Sequence, residues 1–272
     1  MPIHPTAIVS PQAAIDPSTE IGPYVIIEDE VTIGPNCRIA AHVYINGNTR
    51  IGANNEIHAG AVLGDTPQDR AFQPCRSYLQ IGDDNIIREF VSIHRGTAPE
   101  SITRIGSGCF IMGYSHVGHN CRVGDGVTIA NMTALAGHVE VGERAFVSGY
   151  TGVHQFVRIG RLCMIAGGSR VTMDLPPFLM AAHETEVVNV NLVGLRRADF
   201  SSEEIGEIRS AYRRLYRSGL TFRKALEELT AKPCSPLVQE MIDFINVPSK
   251  RGIAGPPDRR KEDREAETKN EK

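Results

Sequence analysis

Aliphatic side chains fall on every sixth residue of this chain. From Ile3 the register runs through Val9, Ile15, Ile21, Ile27, Ile33, Ile39, Ile45, Ile51, Ile57 and Leu63, and it resumes at Ile81, Ile87 and Ile93. It then continues from Ile105 through Ile111, Val117, Val123, Ile129, Leu135, Val141, Val147, Val153, Ile159 and Ile165 to Val171, and only Asp69, Cys75 and Pro99 are not Ile, Val or Leu. A helix repeats at 3.6 residues and a half-buried strand at 2, so a period of six fits neither. It fits a parallel β-helix, in which each hexad makes a short strand and a corner, and three hexads close a triangular coil of about 18 residues. The repeated aliphatic points inward and stacks on its equivalents above and below. Residues 3–171 predict about nine coils and a prism about 45 Å tall at the usual strand spacing. Glycine follows the aliphatic at Gly22, Gly34, Gly52, Gly124, Gly142 and Gly160, which reads as backbone freedom for a corner.

Both breaks in the register replace whole hexads, so the segments 66–79 and 95–103 read as loops leaving a continuous prism; loops on rigid scaffolds often carry function. The pattern changes at Asp174-Leu175-Pro176-Pro177. From Ser201 the spacing is helical: Ser201 is an N-cap, Glu203 and Glu204 occupy the first turn, and Ile205, Ile208, Tyr212, Leu215 and Tyr216 share a face. Further helices are expected near 221–229 and 235–245, capped by Thr221 and Ser235. The expected organisation is thus a β-helix over 1–176, an α-helical domain over 177–247 and a charged, disordered tail over 248–272, whose last 15 residues are mostly charged.

Composition adds exclusions. A formal charge of −3 carries no polybasic signature, so a general nucleic-acid binder is excluded. No apolar run is long enough to span a bilayer, and the N-terminus lacks the basic and apolar regions of a signal peptide, which points to the cytoplasm. Six scattered cysteines without a CxxC pair read as reduced, buried small residues. Aromatics at 6% with no Trp, beside 26 Gly, suit a core of stacked β-branched residues with small residues at the corners.

Stacking converts spacing into proximity, because residues 18 apart sit on adjacent strands. His119, Gly137 and Gln155 form one column, Asn120, His138 and Phe156 the next, and Gly118, Ala136 and His154 the one before; His116 lies on the same coil as His119. Four of nine histidines therefore converge on one face among small residues. A lone histidine is usually a surface or structural residue; four converging point to a site, since imidazole titrates near neutrality. A zinc site is the competing reading. The γ-class carbonic anhydrases, on a related fold, pair two histidine ligands five residues apart, whereas His116 and His119 are three apart, so proton transfer is preferred and no metal or cofactor is expected.

The motifs GYSHVGHNC (113–121), LAGHV (135–139), VHQF (153–156), IHRGT (93–97), PQD (67–69) and NLVGLRR (191–197) resemble the UDP-N-acetylglucosamine O-acyltransferases that begin lipid A synthesis, a branch of the hexapeptide acyltransferases with left-handed β-helices. The resemblance covers about residues 3–247, and it alone supplies the handedness, which opposes the usual crossover rule. It implies a homotrimer with active sites between adjacent prisms and transfer of a 3-hydroxyacyl chain from acyl carrier protein to the 3-hydroxyl of UDP-N-acetylglucosamine. By this resemblance His119 is the general base and the Gly137 N–H binds the oxyanion. His116, His138, His154 and Gln155 position the substrates, while Gln68 and Asp69 contact the sugar. Asn191 and Arg197 hold the nucleotide, and Met164 and Gly167 lie where acyl length is set.

Three positions depart from that family's usual pattern. Arg70-Ala71-Phe72 replaces Leu-Lys-Tyr after Gln68-Asp69, Asn120 replaces the acid that often follows the histidine, and Ala198 follows Arg197. They leave open a related transferase acting on a 3-amino or other nucleotide sugar, and a non-catalytic paralogue. Arg209, Arg213 and Arg217 make a basic stripe on the first long helix; a solvated face is the simpler reading, and a dock for an acidic carrier protein the functional one.

Overall fold

A computed structural model describes residues 3–255. Strands of two to four residues build the prism, and three sheets form its sides, with nine, eight and ten strands, parallel throughout except for the last strand of the third. The stacking offset is 18 where the repeat is unbroken, as in Ile8 against Ile26 against Tyr44 and in His116 against Ala134 against Gly152 against Arg170. It widens where the loops leave: Val62 pairs with Ser92, and Ser92 with His116. Together the loops absorb a coil's length of chain, so within the repeat two sheets have eight strands rather than the nine expected, the third sheet reaching ten with two strands beyond the repeat.

From Ile21 onward the register aliphatics are buried, among them Ile27, Ile45, Ile57, Leu63, Ile87, Ile111, Ile129 and Leu135, while Ile3, Val9 and Ile15 are half-buried at the open end. A second inward column, two residues earlier in each hexad, was not foreseen. It holds small residues such as Val25, Cys37, Ala61, Cys109, Cys121, Thr133, Thr151 and Cys163, all buried. Its polar members spend their hydrogen bonds on corner carbonyls: Thr133 Oγ1 donates to Ser148 O at 2.9 Å and Ser115 Oγ to Ala130 O at 2.9 Å. This column houses four of the six cysteines, all of which are free thiols. Burial pushes Cys109 up to about 11 and Cys121 and Cys163 up to about 12, so these thiols stay protonated.

The role expected of the corner glycines is corrected. Left-handed φ falls two residues after them, at Tyr24, Asn36, Asn54, Arg144 and Leu162. The glycines are instead required by close approach: a Cβ would lie 2.4 Å from Arg161 N at Gly142 and 2.4 Å from Pro177 N at Gly160. Stacked coils leave no room for a side chain there.

The second unit is not purely helical. The strand Leu179–Ala182 extends one prism sheet in parallel, and Glu186–Val190 returns antiparallel to it. Four helices follow: α1 (Leu192–Arg197), α2 (Ser202–Arg217), α3 (Phe222–Thr230) and α4 (Pro236–Asn246). Ser201 caps α2 in a reciprocal box with Glu204. Tyr212 OH donates to Val188 O at 2.8 Å, seating α2 on the returning strand, and Arg161 pairs with Glu240 of α4 at 2.7 Å. The Arg209/Arg213/Arg217 stripe is exposed, but Arg217 also donates to Tyr212 OH and Val188 O.

Residues 248–255, assigned above to the tail, fold back onto the prism. Asp174 N donates to Gly252 O and Ala254 N to Asp174 O, both at 2.8 Å, and Ala254 is buried. Asp174 itself is buried and paired with Arg158 at 2.8 Å. The backbone of residues 252–254 completes the edge beside this ion pair, which a reading by charge content misses. The remainder of the expected tail, 256–272, lies outside the described residues.

Candidate active site

The histidines meet where one prism sheet turns into the next. His116 ends a corner on the strand His116–Val117, and the chain then turns through Gly118, His119 and Asn120, the last in left-handed torsion. Coil stacking sets Gly137 directly against His119: a Cβ on Gly137 would lie 2.4 Å from His119 Nε2. Only glycine lets the ring lie there.

The hexad also explains why the Gly137 N–H is free. Two residues past each register aliphatic the backbone N–H has no partner within its own turn, and proline fills that place at Pro5, Pro11, Pro17, Pro23 and Pro35. At a few corners a side chain of the next coil accepts it, as Asp83 Oδ1 does for Ala53 N and Asp125 Oδ1 for Ser107 N. At Gly137, as at Gly113 and Gly149, no acceptor among the described residues takes it, and at Gly137 the residue itself lies against the His119 ring.

His119 is 7% exposed, and its Nδ1 lies 2.9 Å from Asn120 Oδ1. That oxygen accepts, so Nδ1 carries the proton and Nε2 is left with its lone pair beside Gly137. On the corner side His138 packs edge-on to His119 with centroids 5.2 Å apart and stacks on Phe156 at 4.7 Å. Lys250 Nζ lies 4.1 Å from the Phe156 centroid. On the strand side, His116 meets His94 edge-on at 5.2 Å and its Nδ1 is 2.9 Å from Ser92 Oγ. His94 in turn bonds Thr66 O, at the start of the first loop. Burial, then the neighbouring His94 and His119, depress His116 to about 4. Burial also lowers His94 and His138. The neighbours of His119 therefore stay uncharged at neutral pH.

A cleft of about 440 Å³ joins these groups; Gln68, His116, His119, Gly137, His154 and Gln155 all line it, with Arg170 at one end. His138 and Asp69 stand just outside that lining, Asp69 near enough to favour a proton on His138. Asn191, Arg197 and Met164 are elsewhere. They line a second cleft of about 730 Å³, apolar at Phe146, Leu162, Met180 and Val193. It opens on a different sheet, since Met164 stacks between Phe146 and Met180 while His116 stacks toward Arg170. The Asn191 amide is engaged within the chain: Oδ1 accepts from Gly194 N at 3.0 Å, and Nδ2 donates to Leu162 O at 2.8 Å. Gly167 lines neither cleft, and a Cβ there would meet only Gly149 O at 3.4 Å and Ser148 Cβ at 3.8 Å. Among the described residues no group of three or more His, Cys, Asp or Glu is arranged to hold a metal.

Residues 174–254 match the family profile described as UDP N-acetylglucosamine O-acyltransferase, domain 2, and residues 12–47, 30–65 and 102–137 match the bacterial transferase hexapeptide. A Sulfurihydrogenibium protein named acyl-[acyl-carrier-protein]--UDP-N-acetylglucosamine O-acyltransferase is 52% identical over 95% of this chain and 96% of its own. The chain belongs to the UDP-N-acetylglucosamine O-acyltransferase family. A Myxococcus xanthus protein of the same name is 46% identical over 92% of this chain and 98% of its own. The solved acyltransferase of Francisella novicida superposes with a TM-score of 0.90 at 39% identity, covering 94% of this chain and 95% of that one. That of Bacteroides fragilis gives 0.88 at 41%, covering 92% and 99%. The protein is therefore an acyltransferase, a left-handed parallel β-helix with a C-terminal helical domain.

Besides Ser92 and His94, the sequence reading assigned no role to Arg170, Thr97 or Lys250, although His94 and Thr97 lie in the IHRGT motif. Arg170 was reachable, being three coils along from His116. Thr97 was hidden because the second loop shifts the column offset before Asn120. Lys250 was hidden by its place in an apparently disordered tail.

Proposed function

We propose that the protein transfers a 3-hydroxyacyl chain from acyl carrier protein to the 3-hydroxyl of UDP-N-acetylglucosamine, the first step of lipid A synthesis. The observation that carries this reading is the close approach of His119 Nε2 to Gly137, whose N–H has no acceptor among the described residues, in the lining of one cleft. Nε2 takes the proton of the sugar hydroxyl as its oxygen attacks the thioester carbon. The Gly137 N–H donates to the oxyanion that forms. Collapse of the tetrahedral intermediate breaks the C–S bond, and the imidazolium returns the proton to the leaving thiolate. His116, His138, His154, Gln155, Gln68 and Asp69 position sugar and acyl chain around this centre.

We further infer a homotrimer working in the cytoplasm, with each active site shared between two chains. The histidine cleft and the cleft holding Asn191, Arg197 and Met164 lie on different faces of one prism, so a second copy is what would bring a nucleotide site and an acyl groove to the histidines. Met164 then bounds the acyl chain, with Gly167 outside the groove's lining. A ridge of exposed side chains, Tyr24, Phe90, Tyr114, Met132 and Tyr150, runs along one corner, and such a ridge suits burial between copies.

The test is product identification by mass after incubating the protein with 3-hydroxyacyl carrier proteins of several lengths and either UDP-N-acetylglucosamine or its 3-amino analogue. An ester on the first sugar supports the reading. Product only on the amino sugar reassigns the acceptor, and no product on either makes the chain a non-catalytic paralogue.

A further inference from the structure

We propose that Thr97, on the second loop, is a positioning residue that fixes which tautomer of His119 faces the cleft. The inference rests on His119 being the base. It starts from a property of amides: a carboxylate beside the histidine accepts at either oxygen and has no wrong way round, whereas an asparagine has one accepting and one donating end. With Nδ2 turned toward His119, Nδ1 would become the acceptor, the proton would move to Nε2, and no lone pair would face the substrate. Something outside Asn120 must therefore hold its orientation.

Thr97 does this with its backbone N–H, while its hydroxyl, able to donate or accept, adds a bond to the amide. Its backbone N–H donates to Asn120 Oδ1 at 3.1 Å and its Oγ1–H to the same oxygen at 2.9 Å, while His119 Nδ1 lies 2.9 Å from that atom. A backbone amide only donates, so a flipped Asn120 would set donor against donor. The backbone of Asn120 is pinned separately, its N–H donating to Thr103 Oγ1 at 2.7 Å. Thr97 is held in turn by the first loop: Ser77 Oγ donates to Gly96 O at 2.6 Å and Cys75 Sγ to Thr97 O at 3.6 Å. A Cβ on Gly96 would lie 2.6 Å from Ser101 O, so the approach to Thr97 admits no side chain. The two loops that interrupt the repeat thus act as one support, with Gln68 at one end and the His119 tautomer at the other.

Thr97→Pro removes the backbone donor, and Gly96→Ala, whose Cβ would lie 2.6 Å from Ser101 O, displaces it if the proline variant does not fold. We expect kcat to fall about three- to tenfold, the worth of one neutral hydrogen bond, with KM unchanged for both substrates, while Thr97→Val, which keeps the backbone N–H, retains the tautomer. In an Asn120→Asp background, where orientation no longer matters, the same loss of the backbone donor should alter kcat by less than about twofold. The 15N imidazole spectrum of histidine-labelled full-length protein should report an Nδ1–H tautomer at His119, giving way to a mixture in Thr97→Pro. Equal losses in both backgrounds, or an unaltered tautomer and rate in Thr97→Pro, overturn the proposal. His119→Ala run alongside separates the two ideas: if it remains active the base assignment falls, while the tautomer spectrum still decides the role of Thr97.

Discussion

Burial and two neighbouring imidazoles resist the protonation of His116. Its ring is covered, and His94 and His119 stand near it as potential cations. With a folded value of about 4 against about 6.5 in the unfolded chain, unfolding takes up a proton between those limits. The stability tied to His116 is thus fully present above about pH 6.5 and is lost as pH falls toward 4, at most about 3 kcal/mol across the window. Thermal melts of the protein and its His116→Gln variant over this range should show a shallower loss in the variant; parallel curves would contradict the assignment. At this scale the sequence was informative where the repeat was unbroken. The His119, Gly137 and Gln155 column follows from an offset of 18 and is what the structure contains. Thr97 was not legible because its partner lies 23 residues away across a loop, where no periodic rule applies.

At the scale of elements, the corner glycines and the helix glycine make opposite predictions. Gly206 lies exposed in the middle of α2 with nothing near a Cβ. Gly206→Ala should therefore stabilise by about 0.5–1 kcal/mol, the cost of glycine's backbone freedom in a helix. Gly142→Ala would place a Cβ 2.4 Å from Arg161 N and should lower the melting temperature by forcing two coils apart, an overpacking cost of about 1–3 kcal/mol. Denaturant melts of the two variants check both, and a neutral Gly142→Ala would contradict the close-approach account. The helices α2 and α3 were legible from caps and apolar spacing; α4 starts after Ser235 as expected, but with Pro236 at its first position and no bond from the Ser235 side chain to its first turn. The six-residue α1 was not, being too short for a period, and the strand pair 179–182 and 186–190 was hidden because it continues the prism sheet without the hexad register.

At the scale of the molecule, the nine-coil estimate counted loop residues as prism, since both loops keep the register arithmetically while leaving the wall. The larger lesson is the separation of the two clefts. One chain alone presents the histidines on one face and Asn191, Arg197 and Met164 on another, a relation that local motifs do not reveal. If sites are shared, co-expressed His119→Ala and Arg197→Ala chains should form mixed trimers in which about one quarter of the sites carry both native residues, given random closed assembly. Activity recovered in the mixture, against loss in each homotrimer, supports a shared site; no recovery places the whole site in one chain. The central claim is that His119 supplies the base. It is tested most directly by kcat for acyl transfer to UDP-N-acetylglucosamine in His119→Ala beside the unaltered protein, with assembly and melting temperature measured on the same samples. The account predicts a fall of about 10²–10⁴ with assembly and melting unchanged; a rate close to that of the unaltered protein would contradict it.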